Sequence, residues 1–156
     1  MGLDQYAGTQ NHEYSFEDCN NETIRWVDVG PFEWRKHARL QEFMTRLAMK
    51  KKGIKATLGE MLPEEIKETK KKWIKVSEHW YPWDLGTISL TLEDIVLLKE
   101  TIENGYKGYE SEGGFFWGHQ FQEEQRDMYK KQDLDFVEYA MKRLADGKEV
   151  YYKCSF

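Results

Sequence analysis

Short stretches of strand periodicity alternate with stretches of helical periodicity along this chain, and this alternation restricts its fold more than any other feature. Near the C-terminus, Val150, Tyr152 and Cys154 occupy every second position and are separated by Tyr151 and Lys153, a pattern typical of a strand. Elsewhere apolar residues recur at i, i+3, i+4 and i+7, which indicates helices. The strands are too short for a doubly wound sheet, and no glycine-rich phosphate fingerprint accompanies them. We therefore predict an α+β fold, a small mostly antiparallel sheet with about four helices packed on it.

The individual elements follow from the same two periodicities and from the glycine and proline positions between them. Thr91 and Asp94 form a capping-box pattern at the start of one helix, and Gly105 suits the left-handed position at its end. The predicted strands are over 3–7, 24–29, 87–90, 113–118 and 149–156, with a loop over 8–22. The predicted helices are over 33–53, 63–80 and 92–104, and a last long helix follows the strand over 113–118 and ends at 145. Gly30-Pro31 is expected to end the second strand.

The chain has 156 residues, which suits a single domain over 1–156, and it contains 40% hydrophobic and 33% charged residues. Its net charge of −5 disfavours duplex DNA as a partner. Residues 50–75 nevertheless carry nine lysines against four glutamates, a local charge of +5. We interpret 50–83 as a basic, variable helical segment. Its lysines are either an ordinary solvated helix face or a contact surface for nucleic acid or an acidic protein.

The chain shows neither a signal-peptide pattern nor an apolar run long enough to cross a bilayer, which predicts a cytoplasmic protein without membrane contact. Cys19 and Cys154 match no metal-ligand spacing and are not expected to form a disulfide. The phosphate-loop and nucleophile-elbow motifs are missing from the sequence, so we predict no cofactor and no catalytic set.

The densest group of chemically useful side chains is the run from Trp34 to Arg39. If this run is helical, Arg35 and Arg39 share one face and could hold a phosphate or carboxylate between two guanidinium groups. A second group, Trp117 and His119, lies in the glycine-rich, aromatic stretch over 113–119. The predicted ligand-binding residues are Trp34, Arg35, Lys36, His37, Arg39, Trp117 and His119. The alternative is that the arginines form ordinary ion pairs with carboxylates such as Glu33 and Glu42, and that most of the aromatic rings belong to the core.

His37 and His119 are also candidates for general acid–base catalysis, because an imidazole titrates near neutral pH. The other two histidines, His12 and His79, complete no metal-binding spacing with them. We therefore predict no metal site, and the commoner role of such a histidine is a structural hydrogen bond.

Three passages together resemble a family of small uncharacterised proteins from bacteriophages, especially marine phages and ocean metagenomes. They are Met1-Gly2-Leu3-Asp4-Gln5-Tyr6-Ala7, Trp34-Arg35-Lys36-His37-Ala38-Arg39-Leu40-Gln41, and Gly114-Phe115-Phe116-Trp117-Gly118 with the later Val150-Tyr151-Tyr152. The resemblance implies a phage-encoded product acting in the host cytoplasm, and it brings no established activity or catalytic residues. Some relatives carry a phosphoglycerate kinase label, which we reject because that enzyme is a much larger two-domain protein.

Three functions remain open from the sequence. The leading hypothesis is a non-catalytic binding protein that modulates host physiology or defence through a small anionic ligand or a host protein. The second is a small hydrolase or nucleotide-processing enzyme that uses His37 or His119. The third is a virion or assembly component, for which self-association, such as a homodimer, would be expected.

Overall fold

The computed structural model of the protein describes residues 3–17, 19–21, 23–51, 87–110 and 119–155. They form one four-stranded antiparallel sheet, in the order β2-β1-β4-β3, with helices packed against it. The strands are β1 (Asp4–Glu17), β2 (Thr23–Arg35), β3 (Ile88–Leu90) and β4 (Val150–Ser155). The helices are α1 (Ala38–Lys51), α2 (Leu92–Glu103) and α3 (Gln122–Ala145), the last preceded by a 3₁₀ turn over His119–Phe121.

The predicted α+β class and the antiparallel sheet are confirmed. The described residues contain three α-helices, whereas the sequence predicted about four. The predicted helix over 63–80 and the predicted strand over 113–118 lie outside the described residues. Within the part of the chain that is described, no helix is both long enough and apolar enough to span a bilayer.

β1 and β2 form a hairpin much longer than the sequence predicted. Their pairing runs from Asp4 opposite Arg35 to Glu17 opposite Thr23, with one register shift near Gln10. The prediction of a loop over 8–22 is therefore wrong, because polar residues in this part of the chain occupy paired strand positions. The prediction that Gly30-Pro31 ends the second strand is also wrong. Proline lacks the backbone N–H but is tolerated on an edge strand such as β2.

α1 begins at Ala38, five residues later than predicted. Phe32 to Arg35 instead continue β2, and Lys36 adopts a left-handed conformation with φ of 55°. That turn is held by a hydrogen bond from the Lys36 N–H to the Leu3 carbonyl at 2.8 Å. His37 then caps the helix, because its carbonyl accepts the first helical bond, from the Gln41 N–H.

The core lies between the sheet and the helices, and aromatic rings dominate the contact between β2 and α3. Phe136 packs edge-on against Phe32 and Trp34, with ring centroids 5.3 and 5.6 Å apart. Tyr139 packs against Phe32 one turn further along α3. Such edge-to-face pairs add to the stabilisation that burial of the rings already provides. These contacts hold α3 against the C-terminal end of β2, which leads into α1.

The capping box of α2 is confirmed. The Thr91 hydroxyl accepts from the Asp94 N–H at 3.2 Å, and the Asp94 carboxylate accepts from the Thr91 N–H at 2.8 Å. At the other end, Tyr106 N–H bonds to the Thr101 carbonyl beyond Gly105, which closes a Schellman motif. Lys51 at the end of α1 pairs with Asp94 at 2.7 Å, which ties the two helices together.

Replacing Thr91 with alanine is expected to destabilise the protein by about 1 kcal/mol, because one N-terminal N–H of α2 loses its acceptor. Thr91→Ser keeps the hydroxyl and should stay close to wild type. Urea denaturation of both variants measures the difference. Equal stability of the alanine and serine variants would show that the cap is not what stabilises this helix end.

Candidate functional site at the start of helix α1

Asp133 of α3 is the centre of a buried hydrogen-bond cluster next to the start of α1. Its Oδ1 accepts from the indole Nε1–H of Trp34 at 2.8 Å. Its Oδ2 lies 2.8 Å from both the His37 Nε2 and the Tyr106 hydroxyl. All four residues are at most 1% exposed. We call this group the Asp133 cluster, and it joins β2, α1, α3 and the turn after α2.

His37 is fixed by its backbone as well as by its ring. The Gln5 side chain accepts from the His37 N–H at 2.9 Å and donates to the His37 carbonyl at 3.1 Å. The imidazole stacks on Tyr129, with centroids 5.3 Å apart, and meets Tyr106 edge-on. A hydrogen bond from the ring to an ionised carboxylate requires the tautomer that has its proton on Nε2. Its Nδ1 has no hydrogen-bond partner among the described residues.

Tyr106 is positioned by the Schellman motif that ends α2, with φ of 55°. Burial raises the pKa of its phenol well above the usual value of 10, and the charge and hydrogen bond of Asp133 raise that pKa further. The hydroxyl therefore stays protonated at neutral pH and serves as a donor to Asp133.

A second buried chain of polar groups continues from Gln5 under α1. Gln5 donates to the Tyr152 hydroxyl at 2.9 Å, and that hydroxyl donates to the Gln41 side chain. Gln41 in turn lies 3.4 Å from the Cys154 sulfur. Burial raises the pKa of Tyr152 well above its usual value, and the neighbouring Cys154 adds to this effect while the Gln5 hydrogen bond opposes it. These contacts anchor α1 to β1 and β4.

Arg39, the second residue of α1, lies at the surface end of this arrangement and is only 5% exposed. Its Nε donates to the Gln122 side chain at 2.9 Å, and its terminal nitrogen lies 3.4 Å from the Tyr106 carbonyl oxygen. Among the described residues its ion pair is with Glu110, at 3.6 Å, whose side chain is 60% exposed. We call Arg39 with these three partners the Arg39 corner.

The structure separates the predicted anion-binding residues into three environments. Trp34 and His37 are buried in the Asp133 cluster. Arg35 ends β2, is largely exposed and pairs with Asp4 at 2.8 Å. Lys36 is partly exposed in the turn before α1. The expectation that Arg35 and Arg39 share a helix face is wrong, because α1 begins between them and only Arg39 belongs to it.

Two predicted site residues cannot be placed in this arrangement. Trp117 and the side chain of His119 lie outside the described residues, although the backbone of His119 begins the 3₁₀ turn before α3. Within the described part of the chain, no group of three or more histidine, cysteine or acidic side chains could hold a metal ion. Cys19 and Cys154 are both free thiols.

Comparison with protein-family models, with curated proteins and with solved structures finds no match.

A cleft of about 240 Å³ lies between the end of α2 and α3, and Tyr106 is one of its lining residues. Glu103 and Asp127 line it together with Arg126 and Lys130. Arg126 donates to the adjacent Asp127 at 3.0 Å, which also raises the pKa of its guanidinium. The two cations and two anions balance, so this cleft has no net preference for an anion.

Asp133 and Tyr106 were not among the site residues predicted from the sequence. Tyr129, Asp133, Phe136, Val137 and Ala140 follow i, i+4, i+7, i+8 and i+11, so Asp133 occupies a position in the apolar stripe of α3. A carboxylate in such a stripe is almost always paired when it is buried. The spacing of these residues could have identified Asp133 as buried. The many other charged residues of α3 made this one carboxylate hard to distinguish from them.

Proposed function

We propose that the protein is a non-catalytic binding protein that holds a small anionic ligand at the Arg39 corner. The observation that carries the proposal is the placement of a nearly buried guanidinium at the positive end of a helix. The proposed ligand carries a phosphate or a carboxylate group, because either group can accept two hydrogen bonds from the planar guanidinium of an arginine.

Arg39 is nearly buried, whereas the carboxylate that pairs with it among the described residues, Glu110, is largely exposed to solvent. Removing a charge from water costs free energy unless a buried partner compensates it. Gln122 and the Tyr106 carbonyl are neutral acceptors, and Glu110 lies at 3.6 Å with an exposed side chain. The N-terminus of a helix also repels a cation and attracts an anion. The first turn of α1 contains no acidic residue that would compensate this.

A bound anion would relieve both penalties at once. It would receive hydrogen bonds from the guanidinium and interact favourably with the dipole of α1, as anions do at helix N-termini. The Asp133 cluster supports this role, because it fixes Tyr106, whose carbonyl contacts Arg39, and His37, which precedes α1. The ligand would thus meet a rigid site.

The rival hydrolase hypothesis loses its direct route through His37. The imidazole is fully buried between Tyr106 and Tyr129, so a dissolved substrate does not reach it. An acid–base role in a small enzyme would have to use His119. The resemblance to small phage proteins is the basis for our further proposal that the binding activity acts in the host cytoplasm and modulates host physiology or defence.

Thermal-shift measurements with inorganic phosphate, nucleoside phosphates, cyclic nucleotides and dicarboxylates test the proposal. A ligand at 100 times its Kd should stabilise the protein by about 2.7 kcal/mol, which corresponds to roughly 5–10 °C in Tm for a chain of this size. Calorimetric titration of the best ligand then gives its Kd.

Arg39→Gln should abolish the ligand-induced shift, measured relative to the variant's own Tm. Arg143→Gln is the matched control, because Arg143 lies over the Tyr139 ring near the far end of α3 and should leave binding unchanged. The proposal fails if no ligand of the panel shifts the wild-type Tm. It fails equally if Arg39→Gln binds the best ligand with the wild-type Kd.

A further inference from the structure

The cleft between the end of α2 and α3 is small and has both an apolar and a charged lining. Its apolar part comes from Ile102 and Tyr106, which are 2% and 1% exposed. Its charged part consists of Glu103 of α2 and of Arg126, Asp127 and Lys130 of α3. The volume of about 240 Å³ is below the roughly 300–1,000 Å³ of sites for drug-sized ligands. The cleft therefore suits a ligand of the size of a single amino acid.

Two opposite charges line this cleft without pairing with each other. Arg126 pairs with Asp127 at 3.0 Å, whereas neither Glu103 nor Lys130 forms an ion pair within the described part of the chain. The charged groups of Glu103 and Lys130 are therefore further apart than the roughly 4 Å limit of an ion pair. A ligand with one positive and one negative group can bridge such a separation. A simple anion or cation would meet only one of the two.

The end of α2 attracts a positive group. Glu103 is the last residue of α2, and the last turn of this helix contains no basic residue. The hydrogen bonds that close the helix end are accepted by the three preceding carbonyls, and none of them by the carbonyl of Glu103. The C-terminus of a helix also carries a partial negative charge. An ammonium group at this end would interact favourably with the Glu103 carboxylate and with the helix dipole.

The neighbouring helix supplies the positive groups. Arg126 and Lys130 are four residues apart on α3, so they share one side of that helix, and both line the cleft. The Arg126 side chain reaches the end of α2, because a Cβ added at Gly105 would lie 4.0 Å from its Nη1. Asp127 already balances the charge of Arg126. Lys130 is thus the cation that remains for a carboxylate.

We propose that this cleft binds a free α-amino acid, with the ammonium group of the ligand at Glu103 and its carboxylate at Lys130. The two cations and two anions of the lining cancel, which favours a zwitterion over a ligand with a net charge. Ile102 and Tyr106 contact the side chain of the ligand. The inference does not rest on anion binding at the Arg39 corner, because the two places share only Tyr106.

Titration of the ¹⁵N-labelled full chain with each of the standard L-amino acids is the first test. At least one should bind saturably, with amide shifts centred on Gly105 and Lys130. The N-acetyl derivative of the best amino acid lacks the ammonium group, and its amide derivative lacks the carboxylate. Each should bind about tenfold more weakly, because one hydrogen-bonded charge is lost. The proposal is overturned if no amino acid causes saturable shifts at the cleft, or if either derivative binds as tightly as its parent.

Two substitutions test the same contacts from the side of the protein. Glu103→Gln and Lys130→Gln each remove one charge, and each should raise the Kd of the best amino acid about tenfold. Lys131→Gln is the matched control, because Lys131 pairs with Asp135, is 88% exposed and does not line the cleft. It should keep the wild-type Kd. A wild-type Kd in either cleft variant, or an equal loss in the control, would contradict the proposed site.

Discussion

The Asp133→Ala variant is expected to lose about 3–5 kcal/mol of folding free energy, because the change leaves the donors of Trp34, His37 and Tyr106 buried without an acceptor. That loss is a large fraction of the stability of an ordinary domain. Urea denaturation followed by tryptophan fluorescence measures it directly. The indole of Trp34, which donates to Asp133, should also report the change spectroscopically.

Asp135→Ala is the matched control on the same helix. Asp135 is 51% exposed and pairs with Lys131 at 3.0 Å, so its removal should change stability by at most about 0.5 kcal/mol. Asp133→Asn keeps the size of the side chain and an acceptor for Trp34, and should fall between the two. If Asp133→Ala and Asp135→Ala were equally stable, the Asp133 cluster would not be the anchor of this corner.

The Gly8→Ala variant should be destabilised by more than about 4 kcal/mol or fail to fold, which places it among the most damaging single substitutions. Gly8 has φ of 136°, a conformation that L-residues rarely adopt. A Cβ at this position would also overlap the Gly30 carbonyl oxygen and lie 2.9 Å from the Pro31 ring. Both contacts are with the backbone or ring of the paired strand, which cannot move without breaking the hairpin.

Gly147→Ala separates the two causes, because Gly147 also has a positive φ, of 76°, but a Cβ added there would meet no atom of the described residues within 4 Å. It should lose only about 1–2 kcal/mol from backbone strain. Soluble expression and thermal denaturation compare the two variants. A Gly8→Ala protein as stable as Gly147→Ala would contradict the close approach of β1 and β2 at Gly30.

Local signals in the sequence were sufficient for the elements that depend on neighbouring residues. The capping box of Thr91 and Asp94, the stop at Gly105 and the end of α3 at Ala145 are found where they were predicted. Each of these depends on hydrogen bonds within a few residues of the chain. The alternating segment near the C-terminus, predicted as a strand over 149–156, forms β4.

The elements that depend on distant partners were predicted poorly. β2 passes through Gly30-Pro31 because its position at the sheet edge makes the missing N–H harmless, and sheet order is not visible in a local pattern. The polar residues after Gly8 form a strand because β2 pairs with them. Tertiary pairing overrides local propensity in both cases.

The candidate site was predicted in part. The run from Trp34 to Arg39 does lie at a junction of β2, α1 and α3, but the assumed helix face does not exist. Its residues divide into a buried cluster around Asp133 and the Arg39 corner. Asp133 is almost a hundred positions away in sequence from Trp34 and His37. Such a contact requires the three-dimensional fold.

The central claim, that an anion binds at the Arg39 corner, is tested most directly by NMR titration of the ¹⁵N-labelled protein with inorganic phosphate and then with the best ligand of the thermal-shift panel. We predict saturable shifts of the Arg39 Nε–H and of the first-turn amides of α1, with Arg143 unaffected. Shifts centred on Arg126 and Lys130, or no saturable shift at Arg39, would contradict it.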